Sequence, residues 1–295
     1  MDLPNKVQIK EVGPRDGLQN ERKFISTEAK VEWINQLSET GMNYIEITSF
    51  VHPKWIPALC DAVDVAAQIK RKKGVTYAAL VPNSKGLEKA LAANLDEISV
   101  FMSASETHNL KNINKSINNT FPVLEEVVKG ALSAGKKVRG YVSTVFGCPY
   151  EGVVPLHSVK KVTNKLFEMG VYEVSLGDTI GVANPQQMET VLTELEKTFS
   201  VSSLALHLHD TRGMALANTL VGLTKGITVF DSAVGGLGGC PYAKGASGNI
   251  ATEDLLHMLQ EMKIDTGIDF DRLMNAAKYI EKIIDKPLPS RQLKL

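Results

Sequence analysis

Cysteine is scarce in this chain of 295 residues, which contains only three. Cys60, Cys148 and Cys240 are widely spaced, and no two of them form a Cys-x-x-Cys pair. A disulfide framework and a zinc-ribbon site both need more cysteines at closer spacing, so the sequence excludes both. So few cysteines are typical of a protein from a reducing compartment.

Net charge is also lacking, because 33 Lys and Arg side chains balance 33 Asp and Glu side chains. This balance argues against electrostatic binding of nucleic acid or of an anionic membrane surface. The basic run 70–73, Lys-Arg-Lys-Lys, is the only concentrated positive charge and immediately precedes Gly74. We predict that it forms the last turn of a helix, where cations interact favourably with the helix dipole.

Long apolar runs are absent as well, since no stretch approaches the ~18 residues that a membrane span needs. The N-terminal stretch resembles neither a signal peptide nor a transit peptide. The final Leu-Lys-Leu is only loosely similar to a peroxisomal Ser-Lys-Leu address. We therefore expect a cytoplasmic protein that binds neither membranes nor nucleic acid.

What the chain does contain is a repeated unit: a helical stretch, one residue suited to a left-handed helix cap, and a short β-branched run. The cap positions are Gly41, Gly74, Asn94, Gly135, Gly170 and Gly226. With a first strand before the first unit, the pattern predicts eight strands, at 7–13, 43–49, 76–81, 96–102, 137–145, 171–177, 203–209 and 228–234.

Eight strands alternating with helices favour the α/β class and, within it, a TIM (β/α)₈ barrel, whose typical length is ~250 residues. The structural alternative is a doubly wound open sheet, but no Gly-x-Gly-x-x-Gly follows the first strand. Residues 251–286 are predicted to form additional C-terminal helices with a break at 265–267. No linker composition interrupts the chain, so we expect a single domain over 1–295.

Reactive residues follow the predicted strands at their carboxyl ends, where TIM barrels carry their catalytic groups. Arg15 and Asp16 lie in the loop after strand 1. His207 and His209 are two residues apart at the end of strand 7, so both point to one face and form half of a metal site. The alternative for this pair is a structural role.

The loop after strand 8 is rich in glycine, with six glycines over residues 235–248. Such a segment can approach a ligand closely or close over it, although it can also be a plain surface connection. Cys240 lies in its middle and Asn249 at its end. Strand 8 lies between strands 7 and 1 in a barrel, so Asp16, the two histidines and Asn249 are expected to converge.

Two further carboxylates are candidates for the site. Glu46 interrupts an apolar strand, and Asp178 follows strand 6. A carboxylate inside a strand is usually paired or functional, because an unpaired buried charge is costly. The alternative for Glu46 is a structural ion pair, for which Arg15 is the candidate partner.

Four segments resemble the 3-hydroxy-3-methylglutaryl-CoA lyases, in the metal-dependent TIM-barrel group of lyases and Claisen synthases: GPRDGLQNE, SLGDTIG, LHLHDTRG and GGLGGCPYAKGASGNIATED. The resemblance covers roughly residues 5–290. It implies a divalent cation, Mg²⁺ or Mn²⁺, with the ligands Asp16, His207, His209 and Asn249. It further implies that Arg15 binds the substrate and polarises the thioester carbonyl. The catalytic residues that it implies are Cys240, Arg15, Asp178 and Glu46.

The implied reaction is retro-Claisen cleavage of (S)-3-hydroxy-3-methylglutaryl-CoA to acetoacetate and acetyl-CoA. Isopropylmalate, citramalate and homocitrate synthases share the Arg-Asp and His-x-His elements, so a Claisen-condensing synthase is the alternative, and a non-enzymatic binding protein is a third possibility. The resemblance also implies an acyl-CoA thioester as partner, a homodimer, and roles in leucine catabolism and ketone body metabolism.

Overall fold

The computed structural model describes residues 2–239 and 248–295. Eight strands are present, each within two residues of its predicted bounds: β1 Gln8–Glu11, β2 Tyr44–Ser49, β3 Thr76–Leu80, β4 Glu97–Ser103, β5 Lys137–Ser143, β6 Glu173–Asp178, β7 Leu204–Leu208 and β8 Val229–Ser232. Every strand pairs in parallel with its sequence neighbours, and β8 pairs with β1. The sheet is a closed barrel, so the TIM-barrel prediction is confirmed and the open sheet is excluded.

Ten α-helices surround the barrel in the described part of the chain: α1 Thr27–Glu39, α2 Ala62–Gln68, α3 Ser84–Ala92, α4 Glu106–Ile113, α5 Ile117–Ser133, α6 Leu156–Met169, α7 Pro185–Glu196, α8 Ala215–Thr224, α9 Thr252–Glu261 and α10 Phe270–Ile284. The last two are the predicted C-terminal helices. Within the described ranges, no helix is both long and apolar enough to cross a membrane.

The left-handed caps explain the regularity of the repeat. All six predicted cap residues adopt positive φ, from 51° at Asn94 to 102° at Gly170. Side-chain caps start several helices; Ser26, for example, accepts a hydrogen bond from the backbone N–H of Ala29 at the start of α1. These local signals fix where a helix begins and where it ends before the next strand.

The prediction for the basic run 70–73 is wrong, because α2 ends at Gln68 and Ile69 is already extended. The guanidinium of Arg71 instead donates to the carbonyls of Ala93 and Asn94 at the end of α3. The cation therefore stabilises the C-terminus of a neighbouring helix rather than that of its own.

The two faces of the strands have different chemistry. Residues that point outward, such as Ile98, Val100, Val174 and Leu206, are fully buried between the barrel and its helices. The barrel interior contains charged and polar side chains instead: Lys10, Tyr44, Glu46, Glu97, Arg139, Tyr141, Glu173, Ser175 and Asp231. Branched apolar residues dominate most TIM-barrel interiors, so this interior is unusually polar.

Candidate active site

A tight turn after β1 places Arg15 and Asp16 at the mouth of the barrel. Residues Gly13–Gly17 form one π-helical turn, in which the backbone N–H of Asp16 donates to the carbonyl of Val12 at 2.7 Å. A Cβ on Gly17 would lie 2.9 Å from the Cβ of Leu237, so only glycine lets the turn pack this closely against the segment after β8. Both side chains are buried, with 6% of Arg15 and 8% of Asp16 exposed.

The two histidines meet Asp16 as the strand order predicts. His207 points into the barrel from β7, and His209 follows one residue beyond its end. Their Nε2 atoms are 3.3 Å apart, and they lie 3.8 and 3.9 Å from Oδ2 of Asp16. Two imidazole nitrogens and one carboxylate oxygen therefore face a common point.

Asn249 joins this group through its amide. Its Nδ2 donates to Oδ2 of Asp16 at 2.8 Å and to the carbonyl of Leu237 at 3.0 Å. Gly238 makes room for that amide, because it has a φ of +95° and a Cβ there would lie 2.6 Å from Nδ2. With both donors used, Oδ1 of Asn249 is buried and accepts no hydrogen bond from any residue that the structure describes.

The donor set fits a divalent cation. Ligand atoms ~2.1 Å from an ion lie about 3 Å apart when they are at right angles, which is close to the spacings of 3.3–3.9 Å found here. The orphaned Oδ1 of Asn249 is the kind of buried acceptor that an ion satisfies. Mixed nitrogen and oxygen donors admit Mg²⁺ or Mn²⁺ without selecting one of them.

Electrostatics prepare Asp16 and His209 to bind a cation. Burial alone would raise the pKa of Asp16, but Arg15 and the two histidines lower it to about 2. Burial, followed by the neighbouring His207, lowers the pKa of His209 to about 4. The carboxylate is therefore ionised and the imidazole neutral near pH 7, which are their metal-binding forms.

Arg15 is held as a fixed cation. Its Nε donates to Oε2 of Glu46 at 2.6 Å and its Nη1 donates to Oδ1 of Asp16. Burial alone would lower the pKa of Arg15, but these two carboxylates raise it above its ordinary value. No described residue accepts a hydrogen bond from Nη2. The Arg15–Glu46 ion pair, which was the structural alternative for Glu46, is present, and among the described residues it leaves Nη2 available to a ligand.

Asp178 is oriented differently from the other candidates. It is the last residue of β6 and lies on the strand's outer face, because Ser175 and Gly177 point inward. Its carboxylate accepts the backbone N–H groups of Val182 and Ala183 at 3.0 and 2.9 Å. Burial raises the pKa of Asp178. A catalytic role for Asp178 stays a prediction, and these contacts show a role in fixing the turn after β6.

Cys240, the predicted catalytic cysteine, lies outside the described residues. Two interior residues that border the site were not selected from the sequence. Tyr141 donates its hydroxyl to Oε2 of Glu46 at 3.0 Å, and Asp231 lies 3.3 Å from Nδ1 of His207. Asp231 carries the same signal that selected Glu46, namely a carboxylate inside an apolar strand.

A cavity of about 550 Å³ opens above the site. Arg15, Asp16, Tyr141 and both histidines line its floor, and its outer wall includes Trp55, Lys111 and Lys115. This volume is that of a small-molecule site rather than of a protein interface.

Comparison with known proteins gives the context of this site. The model of the HMGL-like family matches residues 6–280, which is most of the chain. A hydroxymethylglutaryl-CoA lyase of Bacillus subtilis is 61% identical over 295 residues, covering 100% of this chain and 99% of that protein. The chain belongs to the HMGL-like family. The resemblance to this family that the sequence predicted is thus confirmed.

Two solved structures of HMGL-like lyases superpose on the whole chain. The HMG-CoA lyase of Bacillus subtilis aligns with a TM-score of 0.98 at 61% identity, covering 100% of this chain and 99% of that one. An HMG-CoA lyase of Acinetobacter baumannii in complex with coenzyme A and 3-methylmalate aligns with a TM-score of 0.95 at 39% identity, covering 100% and 96%.

Proposed function

We propose that this chain is a carbon–carbon lyase that cleaves (S)-3-hydroxy-3-methylglutaryl-CoA to acetoacetate and acetyl-CoA. The observation that carries the proposal is the convergence of Asp16, His207, His209 and Asn249 beside the fixed cation of Arg15, on the floor of a small-molecule cavity. A relative that is 61% identical and named as a hydroxymethylglutaryl-CoA lyase supports it.

Asp16, His207, His209 and Asn249 are the proposed holders of Mg²⁺ or Mn²⁺. When bound, the cation supplies Lewis acidity that lowers the pKa of the substrate's tertiary hydroxyl. Asp16 also accepts from Arg15 and Gln19 through Oδ1, which leaves Oδ2 turned toward the histidines. These second contacts fix the carboxylate in the orientation that ligation requires.

Arg15 is the proposed stabiliser of the negative charge that develops when the C2–C3 bond of the substrate breaks. The bonding electrons pass to the thioester, whose oxygen becomes an enolate oxygen. Nη2 of Arg15, which donates to no residue within 2–239 and 248–295, belongs to a buried, ionised guanidinium, and fixed donors of this kind stabilise an oxyanion without reorganising. Glu46 positions the guanidinium through Nε.

Two proton transfers complete the proposed reaction. The tertiary hydroxyl loses its proton as the bond breaks, and the enolate carbon gains one afterwards. Asp178 and the site histidines are the candidate acceptors; His207 and His209 line the cavity, whereas the Asp178 carboxylate is bound to backbone amides. We assign the final proton to Cys240 on the basis of the resemblance.

The cavity also favours an acyl-CoA partner. Lys111 and Lys115 on its outer wall can neutralise phosphate groups of coenzyme A, while the acyl end reaches the site. The complex of the Acinetobacter baumannii lyase with coenzyme A supports the same class of ligand.

Four broader expectations remain proposals. They are a single catalytic domain over 1–295, a homodimer, a cytoplasmic location, and service in leucine catabolism and ketone body metabolism. Light scattering on the purified chain tests the dimer directly, since a monomer of 32.1 kDa is readily distinguished from twice that mass.

Incubation of the Mg²⁺- or Mn²⁺-loaded protein with 3-hydroxy-3-methylglutaryl-CoA tests the activity. We expect acetoacetate and acetyl-CoA in equal amounts. A parallel incubation with acetyl-CoA and a panel of 2-oxo acids tests the synthase alternative, which predicts free coenzyme A. Release of coenzyme A in the second incubation without products in the first would contradict the lyase.

A further inference from the structure

Asp231 lies directly beneath the histidines in the barrel interior. It points inward from β8, and the register of the barrel pairs it with His207 of β7. Only 1% of Asp231 is exposed. Its Oδ2 lies 3.3 Å from Nδ1 of His207, which is within hydrogen-bonding distance. The two groups are not aligned well enough in this structure to form a hydrogen bond.

Two other residues fix the carboxylate of Asp231 in place. Arg139 donates from Nη2 to Oδ1 at 2.8 Å and from Nη1 to Oδ2 at 3.3 Å, and Ser175 donates its hydroxyl to Oδ2 at 2.7 Å. A two-pronged guanidinium contact sets the plane of a carboxylate as well as its position. Asp231 is therefore a rigid acceptor facing the lower edge of His207.

The upper edge of the same ring faces the proposed cation site. Nε2 of His207 lies 3.8 Å from Oδ2 of Asp16 and 3.3 Å from Nε2 of His209. A neutral imidazole carries one proton, so Nε2 presents a lone pair only when Nδ1 carries the proton. A carboxylate at Nδ1 selects that tautomer.

We propose that Asp231 is a positioning residue of the cation site. It holds His207 with its proton on Nδ1 and with the lone pair of Nε2 directed toward the proposed cation site beside Asp16. The inference rests on the proposed metal-dependent function and adds the residue that prepares one of its ligands. It also makes the two histidines unequal: Nδ1 of His207 has the Asp231 carboxylate 3.3 Å away, whereas Nδ1 of His209 is buried with no hydrogen-bond partner among residues 2–239 and 248–295.

The competing account is that Asp231 only neutralises Arg139. Glu173 offers a matched control for that account, because it contacts the same guanidinium at Nε, also binds Lys10, and makes no contact with His207. Glu173→Gln and Asp231→Asn both replace a carboxylate partner of Arg139 with an amide. A purely structural role makes the two variants equivalent.

Calorimetric titration of the full chain with Mn²⁺ separates these accounts. We expect Asp231→Asn to raise the dissociation constant for Mn²⁺ by ~10–100-fold, the usual loss when a residue behind a ligating histidine is changed. Glu173→Gln should keep the constant within about threefold of wild type, even though both variants lower Tm. Equal dissociation constants in the wild type and Asp231→Asn, or equal losses in both variants, would overturn the proposal.

A second measurement needs no metal. Nitrogen-15 NMR of histidine-labelled, metal-free wild-type protein reports which ring nitrogen of His207 carries the proton, with the signal assigned by its loss in His207→Gln. We expect the proton on Nδ1, and a proton on Nε2 would refute the role of Asp231. If the wild type binds no Mn²⁺ while His207 shows the expected tautomer, the proposed metal dependence fails and the positioning role stands.

Discussion

Among single residues, Arg15 has two roles, one structural and one proposed to be catalytic, and mutation can separate them. It is an ion-pair partner of Glu46 and Asp16, and it is the proposed donor to the enolate oxygen. Removing it leaves a buried carboxylate without its cation, so some loss of stability is expected on either interpretation. Only the chemical step distinguishes a catalytic Arg15 from a structural one.

We expect Arg15→Gln to lower kcat at least ~10²–10³-fold while KM changes by a small factor, because the lost contact is stronger in the transition state than in the bound substrate. Arg15→Lys should recover little of this rate, since an ammonium lacks the planar fork of the guanidinium. Single-turnover rates and melting curves on the same samples, with exposed Arg22→Gln as a control, provide the measurement. A variant with a lower Tm but an unchanged rate per folded molecule would limit Arg15 to structure.

Cys240 supplies the second prediction for a single residue. A hydroxyl is a much weaker acid than a thiol, so Cys240→Ser should lose turnover by ~10²–10⁴-fold, the usual contribution of general acid–base catalysis. Affinity for Mn²⁺ should not change, because Cys240 is not among the proposed ligands. Exposed Cys60→Ser is the matched control and should behave as wild type. Near wild-type kcat in Cys240→Ser would show that the thiol donates no proton.

Among the structural elements, the end of β1 is tied to the segment after β8 through one buried carboxylate. Glu11 accepts the backbone N–H groups of Gly13 and Val234 at 2.7 and 3.0 Å, and the hydroxyl of Thr252 at 2.6 Å. These contacts connect the turn that carries Arg15 to the segment that leads to Asn249. Burial raises the pKa of Glu11 to about 7.

This pKa predicts how stability depends on pH. Below pH ~4.5 the carboxyl is protonated in both folded and unfolded chains, and between about 4.5 and 7 the folded chain binds the proton more tightly. The contribution of Glu11 to stability is thus lost as pH rises through that window.

Glu11→Gln cannot ionise, so its free energy of unfolding relative to wild type should rise by up to ~3 kcal/mol between pH 4.5 and 8. Urea denaturation at each pH measures this, and Glu88→Gln on the surface of α3 is the control. A difference that stays constant with pH would rule out the raised pKa.

The elements also show what the sequence could predict. The eight strands and the convergence of Asp16, His207, His209 and Asn249 followed from cap residues, strand alternation and the closed strand order. The outward orientation of Asp178 did not follow from the sequence. The sequence placed Asp178 in the loop after strand 6, whereas it is the last residue of β6. The Arg71 contact with α3 and the pairing of Asp231 with His207 were also missed, since both depend on register between segments distant in sequence.

For the whole molecule, closure of the barrel explains how residues some 230 positions apart form one site. The interior beneath them is a network of ion pairs, in which Arg139 links Asp231 to Glu173 and Glu173 binds Lys10. Buried ion pairs of this kind contribute less to stability than apolar packing does, but they fix orientation. The barrel thereby provides a rigid floor for the proposed cation and for Arg15.

One measurement tests the central claim most directly: acetyl-CoA formation from 3-hydroxy-3-methylglutaryl-CoA by the same sample before chelation, after chelation, and after Mg²⁺ or Mn²⁺ is restored. The four proposed ligands beside Arg15 predict that activity falls to background on chelation and returns with the added ion. Full activity in excess chelator, with no metal found in the protein, would contradict the account.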